Sequence, residues 1–198
     1  MGKALLPCFP NNYVAAGALV LATPVGNILR AVHFDSSSFS RAGFYVKVIF
    51  QPLYIPLDHL ILSFGKRLDD QWKWDGGPVL GPLSEALKQD AVPHLERIKS
   101  PEDFPTGLER LGIRPTTLGV AQAVAFSYAR ARHWEQAGAQ LNALPSLPSG
   151  GRDWEERILD EGRRLLAAIE QGPAAAEALL DTWENFTVRN LGLERYRT

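Results

Sequence analysis

The segment Phe44–Gln51, with the sequence FYVKVIFQ, is the stretch that decides the fold. Its residues alternate, so that four apolar side chains from Phe44 to Phe50 lie on one side of an extended chain. The side chains of Tyr45, Lys47, Ile49 and Gln51 lie on the other side. A period of two is that of a β-strand, whose successive side chains point to opposite faces of a sheet. The sequence therefore predicts a strand here, placed within a sheet.

Segments on either side of this strand show the same period. Tyr13–Thr23 alternates weakly, Pro24–Asn27 supplies turn residues, and Ile28–Phe34 alternates again, which together predict a hairpin. His59–Phe64 alternates after the central strand, and Gly65 is expected to end it. Sequential strands with short connections favour an antiparallel sheet of about four strands.

The pattern changes after residue 80. Every acidic residue before position 81 is aspartate, and glutamate, a good helix former, first occurs at Glu85. Apolar residues then recur at helical spacing from Leu83 to Ile98, and Pro93 is expected to kink or split that helix. Further helices are predicted to begin near Ser100–Asp103, at Thr116 or Thr117, at Glu135, at Asp153 with a capping box, and at Pro173.

These patterns predict an α+β protein. Residues 1–80 should form the antiparallel sheet, and residues 81–198 should form five to six helices that cover one face of it. We expect one continuous structural unit with a seam near residue 80. Lys66–Pro82 shows neither period and is interpreted as a connecting loop.

Composition excludes several classes of protein. The chain has 198 residues, of which 45% are hydrophobic and 22% charged, as in ordinary globular proteins. A net charge of −1 gives no overall basic field for nucleic acid or an acidic membrane. Cys8 is the single cysteine, which excludes an internal disulfide or a multi-cysteine zinc site. The N-terminal stretch is a poor signal peptide, so we expect a cytoplasmic protein.

No catalytic or cofactor motif is present in the sequence. It contains no nucleophile-elbow, phosphate-loop or dinucleotide-binding pattern, and we predict no cofactor and no bound metal. Two pairs nevertheless suggest chemistry: His33 and Asp35 close the second predicted strand, and Asp58 and His59 open the fourth. If those strand ends meet, the four side chains would suit a divalent metal or acid–base catalysis. The alternative is that Asp35 begins a turn and caps it.

A cluster of aromatic and basic residues is the strongest binding signal. Trp72 and Trp74 lie two apart, close to Arg67 and Lys73, in the predicted loop. Tryptophan and arginine are frequent anchors of protein interfaces, so the cluster suggests a recognition surface. The simpler interpretation is that both tryptophans pack onto the core.

One helix pair resembles part of a repeat family. Ala129, Trp134, Ala137, Leu141 and Pro145 resemble the second half of one tetratricopeptide unit, over about 30 residues. No second copy follows, whereas such arrays need about three repeats to be stable. We therefore expect a single helical hairpin.

Together these observations favour a non-enzymatic protein-binding module, such as an adaptor or a toxin-neutralising immunity protein of a bacterial-like cytoplasm. Its expected partner is another protein, neither nucleic acid nor membrane. The alternative is a metal-assisted or acid–base hydrolase that uses His33, Asp35, Asp58 and His59.

Overall fold

An antiparallel sheet of five strands, arranged in sequence order, occupies the N-terminal part of the chain. The computed structural model describes residues 2–36, 43–73 and 80–197, and residues 69–71 through their backbone alone. The strands are β1 Tyr13–Ala16, β2 Leu19–Ala22, β3 Ile28–Ser36, β4 Gly43–Pro52 and β5 Gly65–Lys73. Helices dominate after residue 80, so the predicted α+β class is confirmed.

The strand that decided the fold is β4. Its alternate residues Phe44, Val46, Val48 and Phe50 are all buried, as the sequence pattern predicts. The intervening Tyr45 and Lys47 are only half-buried. One side of β4 therefore faces a core, and at this end of the strand the other side is accessible.

The first predicted strand is in fact two strands. β1 and β2 form a hairpin in which Ala16 pairs with Leu19, leaving a two-residue turn at Gly17 and Ala18. Gly17 has a φ of 60°, which fits the first central position of a type II′ turn. The sequence interpretation missed this turn because its other residues are alanine and leucine, which carry no turn signal.

The fourth predicted strand, His59–Phe64, is wrong. That segment is irregular, and Gly65 begins β5 instead of ending a strand. The backbone N–H of Phe50 donates to the carbonyl of Phe64 at 2.8 Å, and Ile49 then pairs with Gly65. The residues from Gly65 onward therefore form a strand because they pair with β4.

The predicted loop from Lys66 is also wrong over its first part, because β5 continues to Lys73. A β-bulge makes this strand difficult to predict from the sequence. Val46 pairs with Leu68 and Phe44 with Trp72, so three residues of β5 oppose one residue of β4. A bulge interrupts the period of two, and the alternation disappears there.

Two compact units divide the chain. The first comprises Met1–Gln51, Ile61–Lys99 and Leu193–Thr198, and the second comprises Pro52–Leu60 and Ser100–Gly192. The first unit holds the sheet together with helices α1 Gly2–Leu5, α2 Leu80–Ala86 and α3 Val92–Arg97.

Helix α3 is joined to α2 by a π-helical turn at Leu87–Ala91, just before Pro93. Proline has no N–H for the helical ladder, so the predicted disruption of this helix is confirmed. Arg30 of β3 donates to the carbonyl of Leu95 at 2.9 Å, and the Tyr13 hydroxyl donates to Glu96 at 2.8 Å. These contacts hold α3 on the face of the sheet that carries Arg30 and Tyr13.

The second unit contains α4 Asp103–Arg110, α5 Leu118–Arg130, α6 Trp134–Ala143, α7 Asp153–Gln171 and α8 Pro173–Asn190. Helix α5 is central, since almost every residue from Leu118 to Ala129 is buried. Its Phe126 stacks on Trp183 of α8 with ring centres 5.3 Å apart. Helices α5 and α6 pack together as a hairpin across the short connection that contains Arg132.

The start of α7 differs from the predicted capping box by one residue. Arg152, not Asp153, occupies the N-cap position, and the carboxylate that returns to the helix start is that of Glu155, three residues later. The backbone N–H groups of Gly150 and Arg152 donate to Glu155 Oε2 at 2.8 and 3.0 Å. These bonds satisfy donors that a helix start otherwise leaves unpaired.

Candidate binding surface on the sheet

Tyr45 and Arg67 form the centre of an accessible region in the first unit. Arg67 lies on β5 directly opposite Lys47 of β4, and Tyr45 lies two residues before Lys47 on the same side. The guanidinium carbon of Arg67 is 4.3 Å from the centre of the Tyr45 ring. This is a cation–π contact, which restrains the side chain of an exposed arginine.

Lys73 extends the same side of β5. It pairs with Gly43, which lies an even number of positions from Lys47 along β4, so both side chains project from one face. We call Tyr45, Lys47, Arg67 and Lys73 the basic sheet surface. Among the side chains that the structure describes, which do not include those of residues 69–71, no carboxylate lies at ion-pair distance from its three cations.

His33 and Asp35 border this surface on β3, the strand next to β4. The expectation that Asp35 begins a turn is wrong, because β3 continues to Ser36. Both side chains are half-buried and share a face of the strand. Burial lowers the pKa of His33, nearby Lys47 lowers it further, and Asp35 raises it. His33 is therefore neutral near pH 7, and its buried Nδ1 has no hydrogen-bond partner among the described residues.

Trp72 lies in strand β5 and not in a surface loop. It pairs with Phe44, so its side chain projects from the opposite face to that of Arg67. The indole is half-buried, and its Nε1–H donates to the Leu68 carbonyl at 3.1 Å across the bulge. Trp72 is thus separated from Arg67 and Lys73, and Trp74 lies outside the described residues.

Asp58 and His59 belong to the second unit, in the irregular segment Pro52–Leu60. Their side chains are 68% and 67% exposed, and His59 Nδ1 is 2.7 Å from Asp58 Oδ1. The hydrogen bond with His59 lowers the pKa of Asp58. In residues 2–36, 43–73 and 80–197, no group of three or more His, Cys, Asp or Glu side chains is arranged to hold a metal ion.

The second unit contains a groove that the sequence analysis did not predict. It has a volume of about 600 Å³ and lies along α4, the connection to α5, and α5 itself. Its lining combines apolar residues and prolines with polar groups: Pro105, Thr106, Glu109, Ile113, Arg114, Pro115, Thr116, Val124, Tyr128 and Gln140. The only sequence signal was Pro115 in a short link between two helices.

The chain was compared with protein-family models, with characterised proteins and with solved structures, and none of them matches it. Over the described residues, the helices are too short or too polar to cross a bilayer.

Proposed function

We propose that this protein is a non-enzymatic protein-binding module that contacts its partner through the basic sheet surface. The observation that carries the proposal is the cation–π contact of Arg67 with Tyr45, with 4.3 Å between the guanidinium carbon and the ring centre, in an accessible part of the sheet. Arginine and tyrosine are enriched at protein interfaces, where they often contribute much of the binding energy.

Preorganisation strengthens this proposal. A free arginine side chain loses rotamer freedom when it is immobilised in an interface, at a cost of about 0.5–1.5 kcal/mol. The Tyr45 ring already restrains Arg67, so part of that cost is met within the folded protein. Strands β4 and β5 supply a rigid support, because Lys47 and Arg67 are paired across the ladder.

An adaptor or a toxin-neutralising immunity protein of a bacterial-like cytoplasm fits this description. Such proteins act by covering a partner's surface, for which a rigid charged patch suffices and no reacting group is needed.

The alternative proposal is a metal-assisted or acid–base hydrolase that uses Asp58 and His59. One observation favours it, the 2.7 Å contact of Asp58 with His59. A carboxylate bonded to an imidazole is a common way to orient a general base.

Affinity capture with matched variants tests the binding proposal. The immobilised protein is exposed to extract of the cell that produces it, in parallel with Arg67→Glu and with Arg110→Glu, an exposed arginine on α4. A partner retained by the native protein and the Arg110→Glu control, but lost by Arg67→Glu, would support the proposal. Titration with the purified partner should then show at least about a 30-fold weaker Kd, the loss typical of an interface anchor.

Two results would contradict the proposal. The first is equal capture of every partner by Arg67→Glu. The second is hydrolytic activity of the purified protein that disappears in His59→Ala, which would favour the enzyme.

A further inference from the structure

We infer that the basic sheet surface binds an acidic segment of the partner protein, whose carboxylates pair with Lys47 and Arg67. This inference rests on the proposed function and adds the chemistry of the partner. Its starting point is the arrangement of charge on β4 and β5.

Lys47 and Arg67 face each other directly across the ladder. Like charges in such a pair destabilise a sheet, and no carboxylate among the described side chains, which are those of residues 2–36, 43–68, 72–73 and 80–197, lies at ion-pair distance from them. Lys73 adds a third cation on the same face. A partner carboxylate above the pair would offset this repulsion, which makes the surface complementary to an acid.

The geometry of Arg67 suits a carboxylate in particular. Its guanidinium carbon lies over the Tyr45 ring, 4.3 Å from the ring centre. A guanidinium group carries five N–H donors in a planar fork, which can bind a carboxylate through two parallel hydrogen bonds. Lys47 supplies a compact second charge beside it.

The residues of β3 limit where the partner's acidic segment can lie. Asp35 carries a negative charge there, and the lowered pKa of His33 leaves that imidazole neutral near pH 7. An acidic residue above β3 would meet repulsion from Asp35, and His33 on the same strand would add no positive charge. The partner's carboxylates should therefore lie above β4 and β5.

The same features disfavour a single-stranded nucleic acid. Sequence-tolerant binding of that kind needs aromatic faces on which bases stack. Tyr45 is the aromatic residue of this surface, and Arg67 covers its ring. The net charge of −1 also supplies no general attraction for phosphates.

Fluorescence anisotropy with three probes tests the inference. The probes are a short labelled peptide that alternates glutamate with serine, its glutamine-for-glutamate counterpart, and an oligothymidylate of similar length. We expect the acidic peptide to bind the native protein, to bind more weakly as salt increases, and to lose at least about tenfold in affinity in Lys47→Glu and in Arg67→Glu. The exposed Lys88→Glu, on the π-helical turn, is the control and should bind as the native protein does.

Thermal melting separates binding from folding. Lys47→Glu places opposite charges across the ladder, so its Tm should equal or exceed the native value while binding is lost. Equal binding of the glutamine peptide, tighter binding of oligothymidylate, or undiminished binding by both variants would overturn the inference. If the captured partner requires Arg67 but is insensitive to salt and is not displaced by the acidic peptide, the proposed function stands and this inference fails.

Discussion

Gly65 shows how one residue sets the position of a strand. A Cβ atom at this position would overlap the carbonyl oxygen of Val48 on the neighbouring strand. The backbones of β4 and β5 therefore approach more closely at Gly65 than a side chain allows, and glycine in a strand often marks such an approach. In the sequence the same glycine looks like the end of a strand, because a glycine that ends a strand cannot be told from one that allows two backbones to approach closely.

Replacing Gly65 with alanine should destabilise the protein. The added methyl group must push two paired strands apart, and overpacking of this kind costs about 1–3 kcal/mol of unfolding free energy. Urea denaturation measures the loss. Gly81→Ala is the matched control, because a Cβ there meets open space and alanine favours helix α2, where the change should be neutral or stabilising. Equal stability of Gly65→Ala and the native protein would show that the strands can separate without cost.

At the scale of elements, helices α5 and α7 are joined by a buried polar contact. Glu161 of α7 is only 7% exposed, and Gln122 Nε2 donates to its carboxylate at 2.6 Å. Burial raises the pKa of Glu161, while the Gln122 bond and the nearby Arg157 and Arg164 lower it by less. A folded-state pKa above the unfolded value gives stability that is present at acidic pH and lost as the pH rises through the folded value.

Glu161→Gln should therefore stabilise the protein at pH 7–8. The amide keeps hydrogen-bonding capacity toward Gln122 without burying a charge. Tm measured between pH 4 and 8 should show the advantage over the native protein shrinking as the pH falls and Glu161 becomes protonated. Glu170→Gln, on the exposed side of α7, should show a smaller effect. A lower Tm for Glu161→Gln at neutral pH would mean that Gln122 and the arginines outweigh burial.

Helices could be predicted from the sequence more accurately than strands, for physical reasons. A helix is defined by local signals, and α8 begins at Pro173, where those signals place its start. A strand depends on its partner. The turn at Gly17 and the bulge before Trp72 became visible only when β2 and β4 supplied the pairing.

The candidate surface was predictable only in part for the same reason. The sequence points to Arg67 and Lys73 because they lie close to two tryptophans, but Tyr45 and Lys47 join them only through the register of β4 with β5. That register also places Trp72 on the other face. Residues far apart in sequence meet according to pairing, which no local period specifies.

At the scale of the whole molecule, the chain passes twice into the second unit. Pro52–Leu60 belongs to that unit, although the sequence around it belongs to the first. Within the second unit, the buried Tyr54 hydroxyl lies 2.6 Å from Ser127 Oγ on α5. Thr187 of α8 donates to the Ile55 carbonyl at 2.5 Å and accepts from the Leu57 N–H at 3.0 Å. A nine-residue excursion is thus fixed by side chains that follow it by more than 70 residues.

Thr187→Val tests how strongly this excursion contributes to the folded molecule. Valine preserves the shape of threonine but removes the hydroxyl, leaving the Ile55 carbonyl and the Leu57 N–H without their side-chain partner. We expect a loss of about 1–3 kcal/mol in unfolding free energy, the cost of leaving buried polar groups unpaired. Hydrogen exchange at the Leu57 amide should accelerate as well.

Thr182→Val is the matched control, because Thr182 lies exposed on the same helix and bonds only to the Ala178 carbonyl one turn earlier. Its effect should stay within about 0.5 kcal/mol. Thr187→Ser, which retains the hydroxyl, should recover part of the stability and of the Leu57 protection. If Thr187→Val and Thr182→Val proved equally stable, with unchanged exchange at Leu57, the excursion would be held by packing of side chains such as Tyr54 and not by the threonine bridge.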